Sequence, residues 1–111
     1  MNKKIMGDTG EDLACILLMN KGYEIVKRNY VTKAGEADII AFKDGVLVFC
    51  EVKTRENGIF GSGREAVDKR KQMKIKKCAQ LFIQQTKINY DYIEFHVIEI
   101  AIEHIREDCG F

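Results

Sequence analysis

Glu36-Ala37-Asp38-Ile39-Ile40-Ala41-Phe42 and Val46-Leu47-Val48-Phe49-Cys50-Glu51-Val52-Lys53 are two apolar-rich runs joined through Lys43-Asp44-Gly45. Asp-Gly between such runs is a strong hairpin signal, because a two-residue type I′ turn needs positive φ at both central positions. That turn sets Lys43 opposite Val46, so that paired residue numbers add to 89. One face then carries Glu36, Asp38, Ile40 and Phe42 across from Lys53, Glu51, Phe49 and Leu47. The other carries Ala37, Ile39 and Ala41 with Val48, Cys50 and Val52, all apolar. Both faces are apolar toward the turn, as in a sheet covered by helices on two sides.

The same register places Asp38 across from Glu51, with Cβ atoms ~5 Å apart. At an effective dielectric of about 20 their repulsion is roughly 3 kcal/mol before desolvation, a large share of a fold stability of about 5–15 kcal/mol. A shared proton or a bound cation relieves it. Mg²⁺ or Mn²⁺ suits such a site, held by one or two carboxylates plus water and a substrate phosphate. Lys53, on the same face, is placed to hold an attacking water or to offset transition-state charge. The bland alternative is a polar sheet end with a Glu36–Lys53 cross-strand pair and a solvated Asp38–Glu51 pair.

Outward from the hairpin, residues 8–21 read as a helix with Asp8 or Thr9 as N-cap and Gly22 as its stop. Residues 24–32 read as a strand. After the glycines at 58, 61 and 63 come a long helix from about Arg64 to Gln85 and a strand over 92–102. The order is helix, three strands, helix, strand, with the last strand parallel to its neighbour. Residues 1–6 and 104–111 are expected to fray. Glu11 shares a stripe with Ala14 and Leu18, so it faces the body; a capping box with Asp8 explains it equally, and the residues alone favour the cap.

Arg64, Lys69, Arg70, Lys71, Lys74, Lys76 and Lys77 are seven cations against Glu65 and Asp68, a local excess of five in a chain whose net charge is only +1. Such a cluster suits phosphate backbones, though a solvated helix face is the commoner explanation. Lys71 falls on the stripe Val67, Lys71, Ile75, Cys78, Phe82, so its head reaches from the apolar side toward the carboxylates. Arg55 stands where it can meet phosphate or cap the strand end. His96 and His104 have no ligand-spaced partner.

The 111 residues suit one domain, and 46% hydrophobic with 32% charged residues excludes a disordered chain. Four widely spaced cysteines without a CxxC pair, an early polar start and the lack of a ~20-residue apolar run point to a reduced, cytoplasmic protein with no membrane partner.

Asp38 followed thirteen residues later by Glu51-Val52-Lys53 resembles the bipartite signature of the PD-(D/E)XK nuclease superfamily. With Gly7-Asp8-Thr9-Gly10-Glu11, Gly35-Glu36-Ala37-Asp38-Ile39-Ile40, Phe49-Cys50-Glu51-Val52-Lys53-Thr54-Arg55 and Lys71, the chain more narrowly resembles the YraN family of bacterial proteins, related to Holliday-junction resolvases. The likeness spans roughly residues 7 to 100. It implies an α/β, restriction-endonuclease-like αβββαβ core, a mixed sheet flanked by helices. It further implies Glu11, Asp38 and Glu51 as ligands of Mg²⁺ or Mn²⁺, Lys53 as the catalytic lysine and Lys71 as an auxiliary group. Glu11 would then coordinate as well as cap. Ala37 stands where the superfamily has proline. Glu94-Phe95-His96-Val97 replaces the family's Arg-Phe-Asp-Val, which changes charge at two positions of the last strand. The expectation is a Mg²⁺-dependent endodeoxyribonuclease acting on branched or structured DNA, with Arg55, Arg64, Lys69, Arg70, Lys74 and Lys77 contacting nucleic acid, working as a homodimer on two strands. The alternative is a nucleic-acid-binding module that keeps the fold with feeble or no cleavage.

Overall fold

Asp44 and Gly45 take φ of 49° and 81°, the left-handed pair that a two-residue hairpin demands. The computed structural model describes residues 3–55 and 68–102. They form α1 (Lys3–Asn20), β1 (Glu24–Val31), β2 (Glu36–Lys43), β3 (Val46–Arg55), α2 (Lys69–Gln85) and β4 (Tyr92–Ala101). The ladder between β2 and β3 runs from Lys43↔Val46 to Ile39↔Cys50, the register that the turn predicts. β1 pairs antiparallel with β2, and β4 lies parallel to β3 after the α2 connection, giving a mixed sheet of order β1-β2-β3-β4.

Among the described residues each face carries one helix. Ile40, Leu47 and Phe49 pack with Ile75, Cys78, Ala79 and Phe82 of α2. Ile39, Ala41, Val48 and Cys50 pack with Ala14, Cys15 and Leu18 of α1. Among the described residues, Cys15, Cys50 and Cys78 are free and buried, and burial pushes the Cys50 thiol up to about 12, so it acts as a small apolar group. No described helix is long and apolar enough to cross a membrane.

Three expectations need correction. Helix α1 begins at Lys3, so Asp8 and Thr9 lie inside it and cannot cap it, and residues 3–6 are helical rather than frayed. Lys3-Lys4-Ile5-Met6 contains no helix breaker, and the two internal glycines, Gly7 and Gly10, cost only about 1 kcal/mol each. Its end is as expected: Gly22 at φ 93° closes the helix, with Tyr23 N–H donating to Leu18 O at 3.0 Å. Helix α2 begins at Lys69 rather than near Arg64, because Asp68 is extended (ψ 176°) and its carboxylate accepts from Lys71 N. Arg64 and Val67 themselves lie outside the described residues, as do His104 and the tail.

The third correction concerns side-chain alternation. Ala37 packs on the α2 side, not with Ile39 and Ala41 on the α1 side. In β1 the same break occurs: Arg28, paired with Ile39, reaches Asp12 of α1 at 2.8 Å, while Tyr30, paired with Ala37, packs edge-on against Phe82 of α2. Between them Asn29 is left-handed (φ 52°), a conformation Asn tolerates better than most residues. Both strands therefore change face at the level of Asn29 and Asp38.

Helix α1 approaches β3 closely at Gly10. A Cβ there would overlap Thr54 Oγ1 and stand 3.1 and 3.2 Å from Thr54 Cβ and Cγ2, so rotating Thr54 alone does not clear it. Gly10→Ala is expected to lower stability by about 1–2 kcal/mol despite alanine's better helix propensity. Thr54→Ala in the same chain should recover most of that loss; thermal melts of the four-member mutant cycle measure it.

Candidate metal and phosphate site

The β2–β3 ladder stops at Ile39↔Cys50, and the next link is made by a side chain. Asp38 Oδ2 accepts from the backbone N–H of Val52 at 2.7 Å. Asp38 and Glu51 are thus not a regular cross-strand pair, as the extrapolated register would have them. The Asp38 carboxylate stays at the β3 backbone, where the face change of the strand directs it.

Glu51 and Lys53 instead open into a cleft of about 480 Å³ on the α2 side, which Glu36, Lys71 and Lys74 also line. Lys53 Nζ lies 3.3 Å from Glu51 Oε1, so its described ion pair is with its own strand rather than with Glu36. Burial works against the Lys53 charge, while the hydrogen bond to Glu51 and the charges of Glu51 and Asp38 favour it, and its pKa is raised. The wall opposite β3 is fixed by the β1–β2 turn. Thr32 Oγ1 accepts from Ala34 N and Gly35 N at 3.1 Å, and a Cβ on Gly35 would stand 2.9 Å from Lys74 Cβ.

The carboxylates are electrostatically linked. Burial first, then the charges of Glu51, Glu11 and Glu36, push Asp38 up to about 6 against the opposing hydrogen bond from Val52. Glu11 is raised as well, mainly by burial and against the pull of Arg28. It is steadied by Arg28 Nη2 at 3.7 Å, and the Asn29 amide nitrogen, in the orientation that satisfies it, donates to both carboxylate oxygens at 3.2 Å. Arg28 and Asn29 are neighbours of Glu11 that the sequence analysis missed; an Asn, a residue type depleted in strands, within a predicted strand was the available signal. Glu36, taken there only as an ion-pair partner for Lys53, is a further cleft carboxylate.

Among the described residues no three His, Cys, Asp or Glu side chains are gathered into a ready ligand set. Glu11, Asp38 and Glu51 are neighbours in charge without forming a closed cage. An acid that burial and neighbouring carboxylates hold at a high pKa, next to a second carboxylate at an open cleft, nonetheless suits a hard dication that keeps waters and takes one or two protein ligands.

The cationic candidates separate. Lys71 and Lys74 line the cleft. Arg70, Lys74 and Lys77 border a second, adjoining groove, and Lys69 is exposed at the start of α2. Arg55 is turned toward β4, where its Nη2 meets Glu99 Oε1 at 3.5 Å, so it does not line the cleft. His96 Nε2 pairs with Glu94 Oε1 at 2.8 Å, so the two unusual residues of β4 answer each other.

Residues 10–100 match the model of the uncharacterised protein family UPF0102. A UPF0102 protein of Alkaliphilus oremlandii is 47% identical over 104 residues, covering 92% of this chain and 88% of that one. One from Dictyoglomus thermophilum is 45% identical over 102 residues, 92% and 86% of the two chains. A third, from Clostridium botulinum, is 44% identical over 106 residues, 95% and 86%. With its αβββαβ order and a match across most of its length, the chain belongs to the uncharacterised protein family UPF0102, the YraN family of the sequence analysis.

Proposed function

We propose that this chain is a metal-dependent nuclease that hydrolyses phosphodiester bonds of DNA, with structured or branched DNA as its substrate. The observation that carries it is the cleft in which Glu51 and Glu36 face Lys53, Lys71 and Lys74, with Asp38 and Glu11 acidic neighbours behind. Carboxylates for a cation and ammonium groups for a phosphate stand side by side there.

Asp38 and Glu51 would hold Mg²⁺ or Mn²⁺, with Glu11 assisting. The bound dication would supply an acidified water and charge neutralisation at the phosphate. Lys53, kept protonated by Glu51 and Asp38, orients the nucleophile and meets the charge that grows on the phosphate oxygens. Lys71 and Lys74 add positive charge from α2, on the wall facing the strand.

Incubation with linear, nicked and four-way-junction DNA in Mg²⁺ or Mn²⁺ is expected to give cleavage that EDTA abolishes. Lys53→Met should lower the rate by about 10²–10³-fold. Intact DNA in every reaction, or a Lys53 variant that cuts as well as wild type, would overturn the assignment. A second possibility, a nucleic-acid-binding module without cleavage, is favoured by the lack of a gathered three-donor set among the described residues. Gel shifts that are indifferent to EDTA and survive Asp38→Ala would support it.

A further inference from the structure

Next to the cleft lies a second groove, lined by Ala34 of the β1–β2 turn and by Arg70, Met73, Lys74 and Lys77 of α2. The helix residues recur at i, i+3, i+4 and i+7, so they form one stripe about 10 Å long. The two grooves share Lys74, and the tight approach of Gly35 to Lys74 joins their floors. Met73 is 60% exposed on an otherwise cationic stretch, which leaves an uncovered apolar floor between three positive heads.

We infer that this groove binds an unpaired nucleotide flanking the scissile phosphate, with its base on Met73 and its phosphates between Arg70, Lys74 and Lys77. Charge complementarity selects the occupant: an anion with an apolar body, repeated at a spacing that a short stripe can follow. A thioether contacts an aromatic ring favourably and adapts to its shape, so the floor accepts any base. Duplex DNA cannot fill it. In B-form DNA the phosphates lie outside and the base faces are stacked away inside, so one stripe cannot touch both on the same nucleotide without extruding the base. Lys74 then serves two neighbours: the phosphate in the cleft and the one beyond it. This inference rests on the nuclease assignment for its substrate and adds that the strand is single on this side of the cut.

The test is fluorescence anisotropy of the full chain with a labelled oligothymidylate and with the same strand annealed to its complement, in EDTA so that binding is read without cleavage. Met73→Ser is expected to weaken single-strand binding about two- to tenfold, to leave duplex binding unchanged, and to leave the salt slope unaltered. Met73→Phe should restore or tighten it, since ring–base stacking is stronger still. Arg70→Gln and Lys77→Gln should each reduce the salt slope by about 0.7 for the single strand. Wild type that ignores the single strand, or Met73 variants that match wild type on it, would overturn the groove's role while metal-dependent cleavage still stood. Groove-dependent binding without any cleavage would uphold the groove and overturn the nuclease.

Discussion

Asp38→Asn is expected to make the metal-free protein more stable at neutral pH while abolishing its response to Mg²⁺ and any metal-dependent cleavage. The Asp38 carboxyl sits at about 6 in the fold against an ordinary 3.8. Its stabilising contribution is therefore complete below about pH 4 and is lost as pH rises through 6; above that the ionised group is a net cost. Because the side chain is only part-buried, solvent screening trims that cost to roughly 1–2 kcal/mol, or about 4–8 °C in Tm for a domain of this size. Asparagine keeps an oxygen for the Val52 N–H bond and removes the charge facing Glu51, Glu11 and Glu36. Melting curves from pH 4 to 8 in EDTA should show wild type losing stability over the lower half of that range and levelling off above about pH 6, beyond any slope left to Glu11, and Asp38→Asn losing markedly less. Adding Mg²⁺ at ten times its Kd should return about 1.4 kcal/mol to wild type and nothing to the variant. A variant less stable than wild type at pH 7, or one that Mg²⁺ still stabilises equally, would remove Asp38 from the metal site.

The turn and the alternation of the hairpin were legible because they are local. Asp44-Gly45 admits few conformations, and period-two alternation about it sorts Ile40, Leu47 and Phe49 from Ile39, Val48 and Cys50 without further information. The inward stripe of α1 through Ala14 and Leu18 was legible for the same reason. The level of Asp38 was not. A side chain that takes over a ladder bond, together with a left-handed Asn29 on the neighbouring strand, changes which face Ala37 meets, and no alternation pattern encodes that substitution. The partners of Glu11 were hidden by the irregularity between Ile25 and Lys27, which shifts the β1 register and so decides that Arg28 and Asn29 reach α1. Helix starts failed through competition among signals: Asp8 looks like a cap, yet the preceding residues are themselves good helix formers, whereas Asp68 is a cap inside a stretch that reads as helix. The places where pattern reading failed in β1 and β2 are the places where acidic groups meet. A regular ladder would have held Asp38 in a plain cross-strand position, and breaking the pattern lets its carboxylate sit at the β3 backbone within reach of two elements.

Phe49→Ala is the substitution expected to do most damage to the fold, and it acts on the site through packing alone. Phe49 is fully buried two residues before Glu51. Its ring meets Phe82 of α2 edge-on at 5.8 Å and stacks on Phe95 of β4 at 5.8 Å, so one side chain ties the central strand to the helix and to the edge strand. Truncation removes both aromatic contacts and leaves a cavity between sheet and helix, costing about 3–5 kcal/mol from a total of about 5–15 kcal/mol. Phe49→Leu keeps most of the volume and should cost less than half as much. Since α2 also carries Lys71 and Lys74, loosening its seat moves the phosphate-facing wall of the cleft relative to Lys53 without touching any charged group. In urea titrations the Ala variant should show a large drop in midpoint with an unchanged slope, the Leu variant a small one. Nucleic-acid binding should follow the same order at temperatures where each remains folded. A loss below about 1 kcal/mol in Phe49→Ala would mean that α2 is seated by other contacts, and that the lysines of the cleft owe their position to something besides the aromatic core.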